Sequence, residues 1–176
     1  MVDFSKAYNR IDEYVKTRMA EDKTPGVGLA ITDRNETLRA IGYGYSNLDS
    51  QTPLTGDTLL EIASIGKSFV SFGLLQEYDA GRLDLHKPVS EYLPWFKVQS
   101  DYEPITIHHL LNHTSGITMG VDKGPHGLCE VWDLRNTRTA WAPGSDYYYS
   151  NVGYKVLGFV LENITGELLK DVFEPR

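Results

Sequence analysis

The chain has 176 residues, 41% of them hydrophobic, with 17 basic and 24 acidic side chains for a net charge of −7. That is enough apolar material for one buried core, and an acidic balance without any basic stripe or interleaved aromatics excludes nucleic acid as a partner. No apolar run approaches the ~20 residues of a membrane span, and the one cysteine, Cys129, leaves no internal disulfide to form.

The opening residues Met1-Val2-Asp3-Phe4-Ser5-Lys6 contain no signal-peptide core. The expected location is therefore the cytoplasm if Met1 is the native start, and outside it, with a signal removed, otherwise. Phe4, Ala7, Tyr8, Ile11, Tyr14 and Val15 mark one face of a first helix. Residues 27–32 and 37–45 read as two strands around the polar turn Asp33-Arg34-Asn35-Glu36. Val27, Leu29 and Ile31, with Ile41 and Tyr43, form an apolar face for which the expectation is a partner outside this chain. A helix follows from Ile65 to Tyr78, in which only Lys67, Gln76 and Glu77 are strongly polar. Being apolar nearly all round, it is expected at the centre of its domain. Asp79-Ala80-Gly81-Arg82 stops it, a loop-rich stretch runs to Pro104, and a short helix is expected over residues 106–112. Glycines between Gly116 and Gly127 point to a flexible loop within 114–148. The last helix opens at Ser150-Asn151, carries Val152, Val156, Phe159, Val160 and Ile164 on one side, and ends at Gly166. There is no internal repeat and no low-complexity tract.

Ser64 and Lys67 form the one Ser-x-x-Lys in the chain. Chance alone supplies about half a match in a chain of this composition, so the surroundings have to carry the argument. One helical turn puts both residues on one face, and a lysine stripped of water favours its neutral, proton-accepting form. Ser64 then has a base within reach. Its place at a helix start aims unpaired backbone N–H groups at any oxyanion that forms there. A second motif, Tyr149-Ser150-Asn151, follows the turn Ala142-Pro143-Gly144. A phenol at a helix entrance, held as phenolate by a lysine cation, can pass the serine proton. Tyr45-Ser46-Asn47 has the same Tyr-x-Asn form but precedes Ser64 and ends a strand-like run, so it is rejected as the functional copy.

Two more segments, Leu110-Leu111-Asn112-His113-Thr114-Ser115-Gly116 and Trp141-Ala142-Pro143-Gly144, complete an ordered set of four. Together they resemble the serine β-lactamase and penicillin-binding-protein superfamily, in its class C-like branch of β-lactamases, DD-peptidases and related esterases. The resemblance runs from about Tyr14 to Phe173. It implies an α+β, β-lactamase/transpeptidase-like fold with a helical subdomain and part of an antiparallel sheet. It also implies that Ser64 is the acylated nucleophile, Lys67 its partner, Tyr149 the general base and Asn151 a substrate or network contact, without cofactor or metal; the identity of the acylation base in this superfamily is a matter of dispute. The family's third motif, Lys-or-His-x-Gly on a strand, occurs nowhere in these residues. Residues 1–176 therefore read as the N-terminal portion of a single such domain, with its C-terminal strands missing.

Competing chemistry is weaker. His109 and His113 have helical zinc-pair spacing, but no Glu follows the first and no third ligand is spaced to join them, so capping and packing are the expected roles. A Ser-His-Asp triad needs a Gly-x-Ser-x-Gly elbow, and the chain has Ile62-Ala63-Ser64-Ile65-Gly66. Trp95, Trp132 and Trp141, read as loop residues, are candidates equally for a cleft lining and for the core. Two classes of function remain. One is a serine hydrolase acting on a small ester or amide, with an esterase favoured over a β-lactamase or peptidase because no export signal is visible. The other is a catalytically incomplete binding piece. Both lead to the expectation that this chain alone is inactive and pairs with a complementary C-terminal polypeptide or with itself.

Overall fold

A computed structural model of the protein describes residues 3–118 and 126–174. Contacts divide the chain into two compact units, Met1–Ile62 and Ala63–Arg176.

The first unit begins with helix α1 (Ser5–Asp22) and continues through β1 (Gly26–Thr32), β2 (Thr37–Asn47) and the two-residue β3 (Thr52–Pro53), which was not anticipated. These strands form an antiparallel sheet in the order β1-β2-β3. The β1–β2 turn is tied by Asp33, whose carboxylate accepts from the N–H groups of Asn35 (2.7 Å) and Glu36 (2.9 Å). Val27 pairs with Tyr43 and Leu29 with Ile41, so these side chains share one face. That face is not left for an outside partner. It is half-buried to buried, and α1 lies on it: Asp12 accepts from the Tyr43 hydroxyl (2.5 Å) and pairs with Arg39 (2.8 Å). Asp12 sits between Ile11 and Val15 on the inward side of α1, an acidic residue where an apolar pattern expects none, whereas Tyr14 points outward. On the opposite face Gly42 admits a close approach, since a Cβ there would stand 2.0 Å from the carbonyl oxygen of Leu54.

The second unit opens with one 3-10 turn, Ala63–Ile65, and runs into α2 (Gly66–Asp79), α3 (Val89–Tyr92), α4 (Ile107–Leu111), α5 (Gly127–Asp133), α6 (Asn151–Thr165) and α7 (Leu169–Val172). The central helix is α6, not α2. α6 touches α2, α3, α4, α5 and α7 and buries Val152, Val156, Leu157, Val160 and Leu161. α2 buries only the side bearing Val70, Gly73, Leu74 and Glu77, while Ile65, Phe69, Phe72 and Leu75 remain exposed. Composition around a helix cannot reveal which of two apolar helices has neighbours on both sides. The two approach closely at Gly73, where a Cβ would lie 2.7 Å from the Leu161 side chain.

Helix ends follow local chemistry. Thr106 and His109 form a reciprocal cap at the start of α4, the Ser150 hydroxyl accepts from Gly153 N–H (3.2 Å) at the start of α6, and Gly166 closes α6 with φ 72°. The stretch expected as a flexible loop instead contains α5 and a 3-10 turn, Leu134–Asn136, because Val131 and Leu134 recur at three-residue spacing and bury in the core. Residues 119–125 of that stretch lie outside the described residues.

Since Leu157 is fully buried on the central helix, Leu157→Ala should cost about 2 to 5 kcal/mol in urea denaturation. Leu168→Ala, at a position 58% exposed, should stay within about 0.5 kcal/mol of the parent.

Candidate active site

Ser64 lies in the 3-10 turn that feeds α2, directly after Ala63, whose φ of 44° is left-handed without glycine's freedom. No side chain caps the start of α2, so none claims the N–H groups of that first turn. One turn along, Lys67 Nζ donates to Ser64 Oγ at 3.0 Å and to Asn151 Oδ1 at 2.8 Å. Asn151 is the first residue of α6. The beginnings of two helices are thereby joined through one amine.

Tyr149 stands two residues before Asn151, with the Lys67 nitrogen 4.9 Å from its ring centroid. Its phenol is held below the usual tyrosine range, first by the hydrogen bond with the Ser64 hydroxyl and then by the hydrogen bond with Lys67, against the opposing effect of burial. All four residues picked out from the sequence, Ser64, Lys67, Tyr149 and Asn151, thus come together. Ser64, Lys67 and Tyr149 border a cavity of about 450 Å³ whose wall includes Ser71, Phe72, His113 and Tyr154, and Asn151 reaches the group through Lys67.

Lys67 differs from expectation in its surroundings. Because α2 has one open side, Lys67 is half-buried rather than stripped of water, and a nitrogen that donates to both Ser64 and Asn151 is engaged as a donor. Tyr45 lies on β2 in the other unit. Trp95 packs on Trp132 and Phe159, and Trp132, which belongs to α5 rather than to a loop, carries the Arg135 guanidinium 3.3 Å from its ring centroid. None of the three tryptophans lines the cavity. His109 caps α4 as anticipated.

Tyr154 escaped the sequence reading. Its hydroxyl donates to the carbonyl of Leu111 (2.9 Å) and shares a hydrogen bond with Ser71 Oγ (3.0 Å). Ser71 is one turn beyond Lys67, and Tyr154 nearly one beyond Asn151, so this bond repeats the Lys67–Asn151 link one turn deeper. The matched offsets, 67 to 71 and 151 to 154, were visible in the sequence; that the helices pack side by side was not.

The sequence matches the Beta-lactamase family over residues 11–175. This chain belongs to the beta-lactamase family. That family comprises serine hydrolases, β-lactamases and esterases among them. The chain is 30% identical over 165 residues to Protein flp of Staphylococcus aureus (strain COL), covering 89% of this chain and 33% of that protein. It is 31% identical over 189 residues to Esterase EstB of Burkholderia gladioli, covering 96% of this chain and 48% of EstB. Its fold matches a class C beta-lactamase with a TM-score of 0.84 at 26% identity, over 98% of this chain and 48% of the other. It also matches the octameric penicillin-binding protein homologue from Pyrococcus abyssi, TM-score 0.80 at 28% identity, over 93% of this chain and 40% of the other. The mixed helical and antiparallel-strand architecture is the β-lactamase/transpeptidase fold, and this chain spans a third to a half of the length of these proteins.

Tyr154→Phe deletes one hydroxyl that serves two partners. It should lower stability by about 1 to 3 kcal/mol in urea denaturation, since the Leu111 carbonyl then loses its donor.

Proposed function

We propose that the protein is a serine hydrolase working through an acyl-enzyme, with an ester as the favoured substrate class. The observation that carries this reading is the shared amine: Lys67 Nζ donates to Ser64 Oγ and to Asn151 Oδ1 at once. A donating ammonium cannot also take the serine proton. That leaves the phenol of Tyr149, lowered by its hydrogen bonds to Ser64 and Lys67.

The steps follow from those roles. Tyr149 as phenolate accepts the Ser64 proton while Oγ bonds to the substrate carbonyl carbon, and N–H groups at the start of α2 stabilise the oxyanion. On collapse, the bond to the alkoxide or amine leaving group breaks and the Tyr149 phenol protonates that group. Water then attacks the ester on Ser64, giving its proton to Tyr149; the bond from the acyl carbon to Oγ breaks, Tyr149 returns the proton to Oγ, and the acid departs. Lys67 holds positive charge beside both oxygens throughout, and Asn151 holds Lys67. The 31% identity to Esterase EstB supports an ester substrate. The match to a class C beta-lactamase favours a β-lactam as a second reading on the same chemistry. A complementary polypeptide or a second copy would complete the substrate wall in either case.

In the assembled domain a fluorophosphonate probe should label Ser64, located by mass spectrometry, and labelling that persists in Ser64→Ala would sink the assignment. In the assembled domain, Lys67→Ala and Tyr149→Phe should each reduce hydrolysis of p-nitrophenyl acetate by roughly a hundredfold or more, with Tyr45→Phe unchanged; a chromogenic cephalosporin tested in parallel separates the two substrate classes. Activity should rise with pH through the Tyr149 ionisation, because the phenolate is the working form. That limb should lie below the ordinary phenol value, since the shift is downward, and should vanish in Tyr149→Phe.

A further inference from the structure

We infer that His113, as a neutral imidazole, is the positioning residue for Tyr149. This inference rests on the role proposed for Tyr149 above and concerns how that side chain is held where no regular secondary structure can hold it.

Residues 147–150 belong to no helix or strand. They and the chain leading into them are tied instead to the segment that follows α4. Gly116 carbonyl accepts from Ala140 N–H (2.9 Å), Thr114 carbonyl from Gly144 N–H (2.8 Å), and His113 carbonyl from Tyr148 N–H (2.9 Å). The last rung is not backbone to backbone: Ser150 N–H donates to His113 Nδ1 at 3.1 Å. One residue therefore grips the chain immediately before and immediately after Tyr149. Its ring also packs against the Tyr149 ring, centroids 4.4 Å apart and planes tilted by 31°. On its remaining sides stand Tyr147 (5.9 Å) and Tyr154 of α6 (5.0 Å).

The backbone of His113 is left-handed, with φ 62°. Such a conformation in a non-glycine residue persists where its surroundings over-determine it, and here two hydrogen bonds and three rings do so. Because Nδ1 accepts from Ser150, the ring proton of the neutral form sits on Nε2. A second proton at Nδ1 would break that bond and set a cation against Tyr149. The charged and titratable groups facing the ring are Lys67 from α2, Tyr147 and Tyr149 from the tied segment, and Tyr154 from α6. Burial, and then the Lys67 charge, keep His113 below the ordinary histidine range, which preserves the acceptor.

Two variants separate the acceptor from the ring. His113→Phe keeps an aromatic face and removes Nδ1; His113→Asn removes the ring but keeps an acceptor near the Nδ1 position and tolerates a left-handed φ. With p-nitrophenyl acetate and the assembled domain, His113→Phe should lose about tenfold or more in kcat with KM little changed, and its alkaline limb should move up toward the ordinary phenol range. His113→Asn should restore most of kcat and return the limb to the parent position. A parent-like limb in folded His113→Phe, while Tyr149→Phe is inactive, would overturn the inference and leave the Tyr149 role standing. Should His113→Phe not fold, a limb shifted upward in folded His113→Asn would overturn it equally. Full activity in Tyr149→Phe would remove the Tyr149 role itself, and this inference with it.

Discussion

The site depends on one amine reaching two helices. Lys67 can bond Ser64, in the turn that feeds its own helix, from sequence spacing alone, but its bond to Asn151 exists only if α2 and α6 lie side by side at one axial setting. That setting comes from packing. Gly73 lets the Leu161 side chain approach α2, and the Ser71–Tyr154 hydrogen bond fixes the slide of one helix along the other. Van der Waals fit and a neutral hydrogen bond thus set the distances over which a charge acts.

A single cation beside two hydroxyl oxygens sorts their acidities. Ser64 and Tyr149 compete for the stabilisation that Lys67 offers, and the phenol, intrinsically far more acidic than an aliphatic hydroxyl, is held below its ordinary range. Tyr149, 44% exposed, needs no deep burial for this. Asn151 adds no charge of its own, so it can hold the Lys67 nitrogen without competing with Ser64 and Tyr149 as a charged partner.

How legible this was in the sequence varied with the range of the interaction. Ser64 and Lys67 were readable because three residues of helix bring them together whatever else happens. Tyr149 and Asn151 needed a second motif at a helix entrance, and the Pro143-Gly144 turn followed by the apolar spacing from Val152 made that entrance visible. The capping role of His109 was equally local. What could not be read depended on neighbours distant in the chain. The centrality of α6, the partial exposure of Lys67, and the Tyr154 hydroxyl between α2 and α4 all follow from which helix faces which. The sheet face covered by α1 was missed for a related reason: its contacts run through Asp12, Arg39 and Tyr43, and an ion pair at an inward position does not register as apolar periodicity.

Ala63 has a consequence for how this protein can change. Its left-handed φ sits one residue before Ser64, so a β-branched side chain there would force the turn to reorganise and displace the serine. Glycine would relieve the local strain, yet it would also enlarge the set of conformations open to the unfolded chain and to the turn itself. Alanine is a compromise between these: it keeps the turn costly to form and narrow once formed. A population of variants selected only for thermal tolerance should therefore drift at this position in a different direction from one selected for turnover.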